Sequence, residues 1–162
     1  ALKKVKRTRE NAKSHIKTID MDLGHWTLSE GVEYKPNAFG FVYMITNTVN
    51  DRKYIGKKQC LSKVKRPPLK GKTRKRSTQK ESDWKSYTGS STELNSDIAK
   101  YGKENFVFEI LEWCGSKWEL GYKEIKKQLH YDVLLSEQFY NGIMHVRIGK
   151  PPKDFTNDKK LS

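Results

Sequence analysis

The apolar positions of this chain fall into short blocks with readable periods, separated by charged or turn-forming stretches. Phe41, Val42, Tyr43, Met44 and Ile45 form an unbroken run of strand-favouring residues, the pattern of a strand covered on both faces. Asn47 to Arg52 supplies Asn, Thr and Asp for a turn, and Lys53 to Gly56 follows as a second short strand, so the two predict a β-hairpin. With the turn centred near Thr48-Val49, Tyr43 lies directly across from Tyr54. A slip at the turn leaves them diagonal, still within reach for two long aromatic side chains.

Further along, Ser90-x-x-Glu93 reads as a capping box, Leu94, Ile98 and Tyr101 recur at helical spacing, and Gly102 offers a left-handed stop. Asn105 to Trp113 alternates Phe106, Phe108 and Ile110 against Val107, Glu109 and Leu111, a strand buried largely on both faces. Trp118, Tyr122, Ile125, Leu129 and Val133 then fall at spacings of three and four, which predicts a helix packing that stripe on the sheet. Phe139 to Gly142 reads as a turn and Ile143 to Ile148 as a last strand. The order β-β-loop-α-β-α-β implies an α+β fold: a small central antiparallel or mixed sheet flanked by helices. Three regions follow. Residues 1–39 are a basic N-terminal arm whose Trp26, Leu28 and Tyr34 pack on the domain. Residues 40–148 are the domain, with a basic insertion at 57–86. Residues 149–162 are a polar tail.

Charge changes this picture most. The chain carries 33 Lys and Arg against 19 Asp and Glu, a formal net charge of +14. That excess costs self-repulsion and points to a polyanionic partner. Arg52 to Lys80 contains thirteen Lys or Arg and no acid. Pro67-Pro68 and Gly71 interrupt it, so an extended or flexible loop contacting nucleic acid is expected rather than a helix. Lys3, Lys4, Lys6, Arg7, Arg9, Lys13 and Lys17 against Glu10 make the start of the chain a second basic segment, an arm or short helix. Cys60 and Cys114 lack the C-x-x-C spacing of a zinc site, and the four histidines form no H-x-x-x-H pair. A reducing cytoplasm is therefore expected. No apolar run approaches the ~20 residues that span a bilayer, so no membrane role is expected.

The ordered set of a strand tyrosine, a short turn, Tyr54-Ile55-Gly56, a helix, a strand, a helix bearing Glu124 and the late Asn141 resembles the GIY-YIG nucleases. Gly89-Ser90-Ser91, Lys100-Tyr101-Gly102 and Asn105-Phe106 are similar to phage-encoded members of the homing-endonuclease branch. The second half-motif is literal. The first is Phe41-Val42-Tyr43, with a glycine one place early at Gly40. The resemblance implies hydrolysis of DNA phosphodiesters by a one-metal, tyrosine-assisted attack of water. Double-stranded DNA is the expected substrate and a homodimer on DNA one way to cut both strands. The expected setting is the cytoplasm, that of a bacterial host if the chain is phage-encoded.

Residue by residue, the resemblance makes Tyr43 the group that takes a proton from water and Tyr54 the group that orients water or phosphate. A phenol titrates near 10, and lowering it by about three units requires roughly 4 kcal/mol; Lys57 is the cation expected to supply this. Glu124, with Glu119 as its rival, is the expected ligand of Mg²⁺ or Mn²⁺. Glu119 otherwise reads as a surface pair with Lys123. The family's phosphate-clamping arginine falls at Val64 here, leaving Arg66, Arg74, Arg76 or Lys85 to take its place. Lys58 and Asn141 join the DNA-contacting set. Gly89 stands where some relatives have a histidine, with Tyr87 a nearby phenol, and Asn141 is expected to support the site. The alternative readings are a non-catalytic nucleic-acid-binding protein on the same scaffold, or a ribosome-associated RNA binder using its aromatics as stacking platforms.

Overall fold

The structure, a computed structural model, describes residues 22–155; the basic stretch 1–17 and the end of the polar tail lie outside the described residues. In chain order the strands are β1 (Thr27–Leu28), β2 (Gly40–Asn47), β3 (Lys53–Gln59), β4 (Leu61–Arg66), β5 (Arg76–Glu81) and β6 (Phe106–Cys114). The helices are α1 (Thr92–Tyr101) and α2 (Lys117–His130). Four strands form a mixed sheet in the order β1-β6-β2-β3, and β4 and β5 pair as a separate two-stranded ribbon. The α+β expectation holds.

β2 is central, and the run Gly40 to Ile45 is buried on both faces. Phe41, Tyr43 and Ile45 face one side with Trp26, Trp84 and Leu94. Val42 and Met44 face the other with Ile55, Leu120 and Val133. Gly40 is needed for the second face, because a Cβ there would stand 2.7 Å from Leu120 Cδ2 on α2. Phe41 fills the first face, its ring 5.0 Å from Trp26, 5.7 Å from Trp84 and 5.3 Å from Trp113. The two cysteines are free thiols, each pushed up to about 12, chiefly by burial.

Several expectations need correction. The β2–β3 register pairs Tyr43 with Gly56 and Ile45 with Tyr54, so the two tyrosines are diagonal, not opposite. The basic insertion is not a loop: β3 runs on to Gln59, and β4 and β5 form a regular hairpin with Pro67, Pro68 and Gly71 in its connection. β1, absent from the predicted order, adds a parallel edge to β6 and brings Trp26, 3% exposed, into the core. The cap of α1 is Ser91, whose side chain accepts from Leu94 N–H, rather than Ser90.

α2 exists where predicted but packs only part of its apolar stripe: Val133, past its end, is buried, and Trp118 and Ile125 are half-buried. Tyr122 is 40% exposed and Leu129 60%, whereas Leu120, Lys123 and Gln128 are buried. The polar residues face the sheet because partners await them: Lys123 Nζ is 2.9 Å from Glu112, and Gln128 Nε2 donates to the Ile55 carbonyl at 3.1 Å. Hydrophobic periodicity cannot register a polar side chain that is buried by pairing. Finally, Ile143 to Ile148 is not a strand, and Phe139 to Asn141 is no turn but runs alongside β3. Phe139 bridges Lys53, and Tyr140 N–H donates to the Lys53 carbonyl at 2.7 Å.

Candidate active site

β3 is the outer strand of its sheet, and its alternate backbone groups face away from β2. The chain caps them one after another. Lys53 is met by Gln138 and Tyr140. Ile55 N–H donates to Asn141 Oδ1 at 3.0 Å, while its carbonyl accepts from Asn141 Nδ2 at 2.8 Å and from Gln128. Asn141 is thus a clamp on the edge strand. The next outward residue is Lys57, and there α2 presents Glu124.

The tyrosines reach the same edge from the other face. Tyr43 lies against Gly56, where a Cβ would collide with its hydroxyl and come within 2.9 Å of the Tyr54 ring. Only glycine lets the Tyr43 phenol lie across β3. The Tyr43 and Tyr54 rings stand 6.1 Å apart, and Tyr87, whose part the sequence left open, joins them at 6.3 Å from Tyr43. Tyr54 and Ser90 share a hydroxyl–hydroxyl hydrogen bond at 3.0 Å. Ser90 was missed as a site residue because its spacing to Glu93 suggested a cap.

Electrostatics ties the two faces together. Burial pushes the Tyr43 phenol well above its ordinary value, with further rises from Tyr54, Tyr87 and Glu124. Tyr54 and Tyr87 are raised by burial first, and Glu124 contributes to both. Glu124 is itself raised by burial, against the opposing pull of Lys57 and then His145. Its side chain is 16% exposed, and Lys57 Nζ lies 3.7 Å away.

Lys57 does not have the part expected of it in the free protein. It pairs across β2 with Val42, which places it on the face opposite Tyr43, and its partner is Glu124. Glu119 is a capping residue: its N–H donates to Ser116 and its carboxylate accepts from Gly115 N–H. The pair with Lys123 is absent, that ammonium having gone to Glu112. Among the described residues no three His, Cys, Asp or Glu side chains converge. One part-buried carboxylate fits a loosely held hard cation completed by water and phosphate, not a closed structural metal site.

The expected phosphate cations are scattered. Arg66, Arg74 and Arg76 sit at the far end of the ribbon; at ~3.3 Å per strand residue that end lies roughly 17 Å beyond Leu61. Lys85 is engaged by Asp22 and Glu81. Lys58 pairs with Asp83 at 2.6 Å and stands 4.0 Å over the Tyr87 ring. Beside Lys57 a cavity of about 550 Å³ is lined by Lys117, His145 and Arg147, with Trp118 on its wall. His145 and Arg147 lie in the segment read as a strand, and no motif marks them.

The arrangement offers hydroxyl donors, one carboxylate and a flanking ammonium about the β3 edge, a set suited to holding a phosphodiester and a water. A family model described as "Putative endonuclease segE, GIY-YIG domain" matches residues 26–144, which include β1, both tyrosines, Glu124 and Asn141. No curated protein and no solved structure matches the chain.

Proposed function

Because the chain belongs to the SegE-type GIY-YIG endonuclease family, we propose that it hydrolyses DNA phosphodiesters at the β3 edge, with Glu124 holding a single divalent cation. The observation that carries this reading is the crossing of the Tyr43 phenol over Gly56. It brings the phenols to the edge that Glu124 reaches from the opposite face. When bound, Mg²⁺ or Mn²⁺ would supply Lewis-acid stabilisation of phosphate charge.

The chain's own residues do the rest. Tyr54, steadied by Ser90, orients the phosphate, and Tyr43 orients the water. Ionising Tyr43 in the free protein costs more than the roughly 4 kcal/mol an unperturbed phenol needs at neutral pH. It therefore accepts the water's proton only in the assembled complex, where charges absent from the free protein lower it. Lys57 holds Glu124 before substrate arrives and turns to the phosphate afterwards. A single domain offers one such site, so cutting both strands takes two protomers or two successive nicks.

The test is plasmid cleavage. Supercoiled duplex DNA with Mg²⁺ is expected to be nicked by the wild type and left intact with EDTA or by Glu124→Gln. One observation favours the rival, a DNA-binding protein without turnover: among the described residues Arg52 is tied to Glu93, Arg66, Arg74 and Arg76 belong to the ribbon and its connection, and Arg147 lines the cavity beside Lys57 on the face opposite the phenols. Tight, salt-sensitive binding by the wild type with no cleavage would establish that rival.

A further inference from the structure

The β4–β5 ribbon is an odd object for a protein surface. Both of its faces are largely exposed, and it pairs with no strand of the main sheet. An isolated hairpin without an apolar face is marginal in water. Only Val64 and Leu61 offer it hydrophobic side chains, while Lys63, Lys65, Arg66 and Lys80 line its strands. Such a ribbon has no use for an apolar partner and a strong use for a polyanionic one.

Its tip is more specific than its charge. Arg66 and Arg76 are directly opposite one another in the last rung of the ladder. Like charges in that position are destabilising. Each guanidinium is nevertheless steered from within. Arg66 Nε donates to Thr78 Oγ1 at 3.0 Å, and Arg76 Nε donates to the Pro67 carbonyl at 3.3 Å. With Nε engaged, the terminal Nη groups of both arginines make no other hydrogen bond or ion pair among the described residues. A fixed guanidinium presenting two free donors is the shape that binds the O6 and N7 edge of guanine. A two-stranded ribbon is also one of the elements that B-DNA's major groove admits.

We infer that the β4–β5 ribbon enters the major groove of duplex DNA and that Arg66 and Arg76 read guanine there. The inference rests on the proposed nuclease reading only for its choice of DNA as the polyanion. Lys70 and Lys72, in the connection between the strands, contact phosphates instead and carry no sequence information.

The experiment uses the whole chain in EDTA, so that binding is measured whether or not the protein cleaves. A randomised duplex library is selected by the wild type, Arg66→Ala, Arg76→Ala and Lys70→Ala/Lys72→Ala, and the bound fraction is sequenced; circular dichroism checks folding. The wild type is expected to enrich guanine at fixed positions, and methylation of guanine N7 there to block binding. Each arginine variant should lose about 5- to 150-fold of discrimination at one position. The lysine variant should weaken all sequences alike and reduce the salt slope by about one per lysine. Base preference unchanged in both arginine variants, a wild type without preference, or insensitivity to N7 methylation overturns the inference. None of these bears on whether the wild type nicks plasmid with Mg²⁺, so the two readings fail separately.

Discussion

Gly56→Ala is the most demanding perturbation of the site, because it adds one methyl group exactly where two phenols pass. The new Cβ would collide with the Tyr43 hydroxyl, and it would stand 2.7 Å from Tyr43 Cζ and 2.9 Å from Tyr54 Cε1. Carbon–carbon contacts settle near 3.5–4.0 Å, so each ring has to retreat by about 1 Å. Tyr43, 1% exposed, has no room to do so: its ring is boxed by Trp26 at 5.0 Å and Phe41 at 6.1 Å. Overpacking of this kind costs about 1–3 kcal/mol. A displacement of about 1 Å at a reacting group lowers turnover roughly 100-fold. Urea unfolding followed by tryptophan fluorescence reads the first quantity and plasmid nicking the second. Tyr43→Phe removes the closest atom, so the double variant Tyr43→Phe/Gly56→Ala should be less destabilised than the sum of the singles, by about 1 kcal/mol. Wild-type stability and wild-type cleavage in Gly56→Ala would show that the phenol does not cross the strand, and the proposed site would fall with it.

Asn141→Ala leaves the buried Ile55 N–H without a partner, while Gln128 still serves the carbonyl; a loss of about 1–3 kcal/mol is expected in the same denaturation assay. Glu124 has to be ionised to hold a cation, and its proton is retained above the ordinary 4.5. Cleavage should therefore decline as pH falls while still above that value, and a profile flat down to 4.5 would refute the carboxylate's part. His25 is stacked 3.9 Å from Phe108 and donates through Nε2 to the Tyr87 carbonyl at 2.9 Å. Burial depresses its pKa from 6.5 to about 4, aided by the charge of Lys103. The folded state thus favours the neutral ring: its contribution is whole above pH 6.5 and is lost as pH falls through the window down to about 4. With solvent screening, about 1–2 kcal/mol should disappear across that window. His25→Phe should remove this pH dependence of the unfolding midpoint.

What the sequence determined by itself was local and periodic. The strand-forming run through Tyr43, the literal Tyr54-Ile55-Gly56, the helices near Leu94 and Ile125 and the alternation of β6 are all short-range patterns. Local patterns suffice for such elements, because backbone preference and the period of apolar residues act within a few residues. The motif order named the family on the same footing. Tertiary structure decided everything that depends on a partner far along the chain. The inward face of α2 was settled by Glu112 and the Ile55 carbonyl, which reward Lys123 and Gln128 for being buried. That Gly56 rather than Tyr54 lies opposite Tyr43 was settled by a two-residue difference in hairpin register, which leaves every side chain on its own face, since side chains alternate along a strand. The basic insertion became a ribbon because two stretches without apolar alternation satisfied each other's backbone groups across the connection. Hydrogen-bond pairing and register are properties of two segments together, and neither segment carries them alone.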